Sequence, residues 1–190
     1  MNTFHRWYCR SGNWRRTVRE RLLPWVLSGV DLGADVLEVG PGPGLTTDVL
    51  AERVRHLTCV EKDPALAASL ARRRGGAQVE VVEADATDLP FPAGRFSGAV
   101  SCTMLHHVPS PALQDRLLAE VARVLAPGGW LVGSDSMVSL LFRVAHWGDT
   151  MMLVDPDTFG GRLERAGFSD VRVDRAPRAF RFQARRAAIA

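Results

Sequence analysis

Short apolar runs alternate along this chain with longer stretches in which apolar residues recur every three or four positions, the pattern of strands separated by helices. Val36 to Val39, Leu57 to Glu61, Val79 to Glu83, Phe96 to Cys102 and Trp130 to Val132 are the strand candidates. Between them, three segments read as helices. The first is the run Leu45 to Val54; the second opens at Asp63-Pro64 and closes on Arg72-Arg73-Arg74; the third opens at Ser110-Pro111. Asp63 and Ser110 are N-cap residue types, each followed by a proline at the first helical position, where the missing N–H would be unsatisfied anyway. Asp155-Pro156 repeats that signature, and Asn13 to Leu27 forms an amphipathic pattern that Pro24 allows to kink or restart. The stripe Leu113, Leu117, Leu118, Val121 and Leu125 is expected to be core. Phe168 to Asp174 and Arg178 to Ala184 alternate polar and apolar positions, as in an antiparallel hairpin at a sheet edge. Strands alternating with helices predict an α/β architecture on a mostly parallel sheet.

Candidate chemistry enters at the first strand, which runs straight into Gly40-Pro41-Gly42-Pro43-Gly44 and then a helix. A strand that turns over glycines into a helix presents bare backbone N–H groups and a helix N-terminus at one edge of a sheet. Two familiar glycine loops do not fit. The dinucleotide fingerprint would need a third glycine at Leu45 or Thr47, and a phosphate-binding P-loop ends in Gly-Lys-Ser/Thr, whereas the only lysine here is Lys62. What remains is a carboxylate followed by glycines at alternate positions: Glu38, Gly40, Gly42, Gly44.

That pattern resembles the first motif of class I S-adenosylmethionine-dependent methyltransferases. The resemblance implies a Rossmann-like, doubly wound three-layer sandwich: a mostly parallel seven-stranded sheet with an antiparallel C-terminal strand. It also implies S-adenosyl-L-methionine as cofactor and S-adenosyl-L-homocysteine as product. Glu38, Gly40, Pro41, Gly42 and Gly44 would then hold the methionine end. Glu61, about twenty positions beyond the loop and at a strand's carboxyl end, matches the ribose-hydroxyl acceptor of such sites, with Lys62 beside it. Asp85 and Ala86, after the third strand, match the adenine position; Asp88 reads as a turn residue. Thr103 follows the fourth strand on the same edge. The run Thr103 to Val108, with His106 and His107, is similar to the small-molecule branch of the family, which includes ubiquinone and menaquinone biosynthesis methyltransferases. Pro109-Ser110-Pro111 stands where that branch often has an acid.

Length and composition narrow the field further. A chain of 190 residues fits one domain: an N-terminal helical arm or lid over residues 1–30, a core over 35–184 and a substrate-side insertion over 137–155. The net charge of +3 raises nucleic acid as a partner, but no basic stretch is interleaved with aromatics for base stacking. Arg72-Arg73-Arg74 is placed to complement a helix C-terminal dipole, and the arginines around Arg15 to Arg21 read as a solvated helix face. No apolar run approaches a membrane span, and the opening residues lack a signal-peptide core; a cytoplasmic monomer or homodimer acting on a small molecule is the expectation. Cys9, Cys59 and Cys102 show no C-x-x-C pair and read as reduced.

Methyl transfer from a sulfonium needs alignment more than a nucleophile, and no serine-hydrolase elbow is present. His107 is the first candidate for a general base, with His146 and Asp135 behind it. No metal site is expected, because His106 and His107 would point apart on an extended segment. Two other readings compete: a nicotinamide-dependent oxidoreductase, against which the glycine spacing counts, and a non-catalytic S-adenosylmethionine-binding regulatory protein.

Overall fold

The computed structural model describes residues 11–137 and 151–188; Phe4 to Cys9, His146, Trp147 and most of the apolar insertion lie outside them. Seven strands form one sheet in the order β3-β2-β1-β4-β5-β7-β6. They are β1 (Asp35–Val39), β2 (His56–Glu61), β3 (Val79–Glu83), β4 (Phe96–Cys102), β5 (Leu125–Ser136), β6 (Phe168–Ala176) and β7 (Ala179–Arg186). The pairs β1–β2, β1–β4, β2–β3 and β4–β5 are parallel, whereas β7 runs antiparallel to both β5 and β6. The mostly parallel α/β sheet and its antiparallel C-terminal strand are therefore as expected.

Helices cover both faces. On one side lie α1 (Gly12–Thr17), a π-helical turn (Val18–Leu22), α2 (Leu23–Val26), α3 (Leu45–Leu50) and α4 (Pro64–Arg74), contributing Leu23, Val26, Val49, Leu50 and Leu70 to a buried core with Val36, Leu57 and Val100. On the other lie α5 (Pro111–Val124) and α6 (Pro156–Arg165), which bring Leu117, Leu118, Val121, Phe159 and Leu163 against Leu37, Ala99, Leu131 and Phe182. Parallel strands buried on both faces explain the near-continuous apolar runs in β1, β2 and β4.

The caps behave as their chemistry dictates. Asp63 Oδ1 accepts from the Ala65 and Leu66 N–H groups, Ser110 Oγ from Leu113 N and Asp155 Oδ1 from Asp157 N, each with proline next in sequence. Three expectations shift. The helix after the glycine loop stops at Leu50 rather than Val54, β5 starts at Leu125 rather than Trp130, and the N-terminal helix loosens into a π turn before Pro24. In that π turn Leu23 donates to Val18 O, five residues back, a wider ring that opens one helical turn.

The arm is anchored at its far end. Gln183 Nε2 donates to Val26 O and Ser28 O at 2.9 and 3.0 Å, and Arg181 Nη1 donates to Trp25 O at 2.6 Å. Strand β7 thus satisfies the orphan carbonyls of the α2 terminus and leaves α1 facing the carboxyl ends of the strands.

Candidate functional site

Strand order reverses between β1 and β4, and open α/β sheets bind ligands outside the carboxyl ends at such a switch point. Here that edge opens on a cavity of about 430 Å3, within the range of ligand pockets. Its lining draws Gly40, Pro41 and Gly42 from the loop after β1, Glu61 and Lys62 from the end of β2, Asp85 and Ala86 from beyond β3, Thr103 from beyond β4, and His107. Eight of the ten sequence-predicted cofactor positions and the first catalytic candidate come together in this one cavity, although they are spread along the chain from Gly40 to His107.

The glycine loop is shaped by close approaches. Gly40 has φ +66°, and a Cβ there would lie 2.2 Å from Met104 Cγ, so only glycine lets the segment after β4 pack against the loop. Gly42 lines the cavity, and a Cβ on it would meet nothing within 4 Å; any side chain there would take up room that the bare backbone leaves for a ligand. Gly44 lies outside the lining and packs toward α4, where a Cβ would meet Arg73 Nη2 and Leu70 Cδ1 at 2.4 Å. Its requirement is helix packing.

Glu61 is buried, and each of its carboxylate oxygens accepts one backbone N–H: Oε2 from Gly42 and Oε1 from Asp63, both at 3.0 Å. Each oxygen keeps a further lone pair, the arrangement needed to take a vicinal diol. Asp85 is more occupied. Its Oδ1 accepts from the Thr87 N–H and hydroxyl at 2.9 Å, and its Oδ2 accepts from Lys62 Nζ at 2.6 Å. Partial burial pushes the Asp85 pKa up, but the Lys62 ammonium and the two Thr87 donors outweigh it and leave the carboxyl below its ordinary value. Thr103 holds φ +53°, uncommon for a β-branched residue, while its N–H donates to Ser134 O at 2.7 Å.

Glu38 sits elsewhere than the first-motif reading suggests. It is outside the cavity lining, buried behind the loop, and accepts hydrogen bonds from Thr46 Oγ1, from Thr47 Oγ1 at 2.6 Å and from Cys59 Sγ at 3.4 Å. Burial raises its pKa, and the threonine and cysteine hydrogen bonds offset this only in part. Burial and the adjacent Glu38 carboxyl likewise push the Cys59 thiol far up, in keeping with an inert core cysteine. Glu38 thus fixes the first turn of α3, the turn that carries the loop. Thr46 and Thr47, two and three positions after the third glycine, escaped the sequence reading, although hydroxyls beside a buried acid were the available signal.

Asp135 also faces away from the cavity. It is buried, with Oδ1 2.5 Å from His106 Nδ1 and accepting from Ser136 N at 2.6 Å, and Oδ2 accepting from the His106 N–H at 3.0 Å. The two histidines do not diverge as on an extended segment: Leu105–His107 is a 3-10 turn, and the ring centroids are 4.2 Å apart. His107 alone of the pair lines the cavity. The candidate base His146 lies outside the described residues. Among those residues no group of three or more His, Cys, Asp or Glu side chains is arranged to hold a metal.

Apolar side chains complete the walls: Trp14, Val18 and Leu22 from α1 and the π turn, Leu66 from α4, Met104, and Leu113 and Leu117 from α5. Leu113, expected in the core, is 37% exposed. The same leucine stripe serves the core at Leu118 and Val121 and the cavity at its N-terminal end.

Residues 37–133, just over half of the chain, match the model of the methyltransferase domain family. The chain belongs to that family, whose methyl donor is S-adenosylmethionine. It is 26% identical to the ubiquinone biosynthesis O-methyltransferase of Azotobacter vinelandii, over 87% of this chain and 78% of that protein. It is 29% identical to the chloroplastic 2-methyl-6-phytyl-1,4-hydroquinone methyltransferase of Arabidopsis thaliana, over 86% of this chain and 48% of that one. A probable ribosomal RNA small subunit methyltransferase A of Thermococcus onnurineus is 39% identical over 45% of this chain and 29% of its own length. The chain thus spans less than two thirds of the latter two relatives. A SAM-dependent methyltransferase structure from Aquifex aeolicus superposes with a TM-score of 0.76 at 19% identity, covering 98% of this chain and 100% of that one. The fold is shared with it.

Proposed function

We propose that this chain acts as a single methyltransferase domain, transferring a methyl group from S-adenosylmethionine to a small hydrophobic or aromatic acceptor by in-line displacement. One observation carries the reading: a single cavity joins the polar groups of Gly42, Glu61 and Asp85 to an apolar wall of Trp14, Val18, Leu22, Leu113 and Leu117. In this account the N–H groups of the Gly40–Gly42 loop hold the methionine end, Glu61 accepts the ribose hydroxyls, and Asp85 with Ala86 faces the adenine, alongside Lys62 and Thr103. When bound, S-adenosylmethionine supplies a methyl group on a sulfonium, which is already a good leaving group.

The protein's own task is alignment, with reacting atoms held about 3 to 3.5 Å apart. Thr103 and Met104 bring the end of β4 to the loop, and His107 takes the proton of a hydroxyl or acidic carbon acceptor at its imidazole nitrogen. An acceptor nitrogen or sulfur that is already nucleophilic needs no such base. The apolar wall desolvates a ring or chain, and the one lysine or arginine among the described lining residues, Lys62, is paired with Asp85. A nucleic-acid channel would need several unpaired cations. The hydroquinone and ubiquinone-pathway names of two relatives support the same acceptor class. No helix among the described residues is long and apolar enough to cross a membrane, and we place the enzyme in the cytoplasm as a monomer or homodimer.

The test is transfer of a labelled methyl group to a panel of acceptors: phenols and hydroquinones with apolar substituents, fatty acids, and a structured RNA. Label in the apolar small molecules is the expected result. Label in the RNA alone would contradict the acceptor class.

A further inference from the structure

The arginine run that closes α4 does more than complement a helix dipole. Arg73 reaches back across the sheet edge: its Nη2 donates to Pro43 O at 2.9 Å and to Gly44 O at 3.2 Å, and its Nη1 donates to Asp48 Oδ1 at 2.5 Å. Asp48 is buried in α3, and the same oxygen accepts from Arg74 Nε at 2.7 Å. Of these residues only Pro43 lines the cavity; Arg73, Arg74, Asp48 and Gly44 lie outside it. The glycine loop is thereby gripped from two sides. Glu61 takes the Gly42 N–H on the cavity side, and the Arg73 guanidinium takes two loop carbonyls on the outer side.

We infer that Arg73 is a positioning residue for cofactor binding: a guanidinium fork, itself oriented by Asp48, that fixes the carbonyls of the glycine loop outward. In a trans peptide the N–H points opposite to the C=O. The Gly44 carbonyl accepts from the Asp48 N–H at 3.1 Å as well as from Arg73, and with the oxygen held by helix and fork together the Leu45 N–H turns the opposite way, at the helix start where Leu45 lines the cavity. A planar fork can bond two carbonyls and a carboxylate at once, which a single ammonium cannot do with the same geometry. Pro41 and Pro43 stiffen the loop but remove two of its own donors, so external bonds carry more of its definition. The closeness of Gly44 to Arg73 Nη2 gives the third glycine a reason of its own: a side chain there would displace the fork. This inference rests on the cofactor reading proposed above.

Arg73→Met, Arg73→Lys and, as a control, Arg72→Met are compared with wild type in calorimetric titrations with S-adenosylhomocysteine. Thermal unfolding and amide hydrogen exchange are measured on the same samples. The expected result is a Kd raised about ten- to a hundredfold in Arg73→Met. A smaller rise is expected in Arg73→Lys and less than twofold in Arg72→Met, with exchange accelerated in residues 40–46 while the central strands stay protected. In turnover, KM for the cofactor rises and kcat changes little. A folded Arg73→Met that binds as wild type does, or a loss of melting temperature without a change in Kd, overturns the inference. Should Arg73→Met fail to fold, Arg73→Lys decides in the same way. Wild type failing to bind would instead defeat the cofactor reading itself, and this inference with it.

Discussion

Glu61 accepts a hydrogen bond from the Gly42 N–H at 3.0 Å, joining the end of β2 to the middle of the glycine loop. The carboxylate proposed for the ribose therefore also holds the backbone proposed for the methionine end. Glu61→Ala is expected to weaken S-adenosylmethionine binding by about 1.5 to 3 kcal/mol, the worth of charge-assisted hydrogen bonds, or roughly ten- to 150-fold in Kd. Glu61→Gln, which keeps one acceptor oxygen, should fall between. Calorimetry on folded variants checks both, and unchanged affinity in Glu61→Ala would remove Glu61 from the site.

Glu38 gives stability a specific pH dependence. Burial raises its folded-state pKa above the ordinary 4.5, so between those two values the native chain holds a proton that the unfolded chain has released. Stability then falls as pH rises. The melting temperature of wild type relative to Glu38→Gln should therefore decline from about pH 4.5 upward, until the raised pKa is passed. A difference that grows with pH would show that Glu38 is held ionised.

Leu113 and Leu118 occupy one helix and one leucine stripe but different surroundings. Leu118→Ala should cost about 2 to 5 kcal/mol in denaturant unfolding, as for other buried leucines. Leu113→Ala should change stability by no more than roughly 0.5 kcal/mol while raising the acceptor KM. Equal stability losses would place Leu113 in the core after all.

The histidine pair separates a proposed chemical role from a structural one. His107→Gln should lower kcat on a hydroxyl acceptor by about a hundredfold or more with little change in melting temperature. Asp135→Asn should lower the melting temperature, because it disturbs a buried pair that also holds the His106 N–H. A kcat unaffected by His107→Gln would show that the acceptor needs no base there.

Much of this was legible in the sequence for physical reasons. Strands buried on both faces must be apolar runs, Asp-Pro and Ser-Pro mark helix starts, and glycines at alternate positions report a backbone that cannot carry side chains. What escaped depended on three-dimensional neighbours. Nothing in the run Arg72 to Arg74 says that Arg73 folds back onto Pro43 and Gly44. Helical spacing cannot tell a leucine facing the core from one facing a cavity, as Leu113 shows. Glu38 looked like a ligand because it precedes the glycines, but β1 alternation turns its carboxyl to the threonines of α3. The 3-10 turn that brings the His106 and His107 rings together carries no residue signal distinct from an extended segment.

The most direct test of the central claim is a calorimetric titration of the purified protein with S-adenosylmethionine, S-adenosylhomocysteine and NAD in parallel. The account predicts binding of both adenosyl ligands, on the order of micromolar or about 8 kcal/mol, and none of NAD. Binding of NAD alone would contradict it, and so would binding of none of the three.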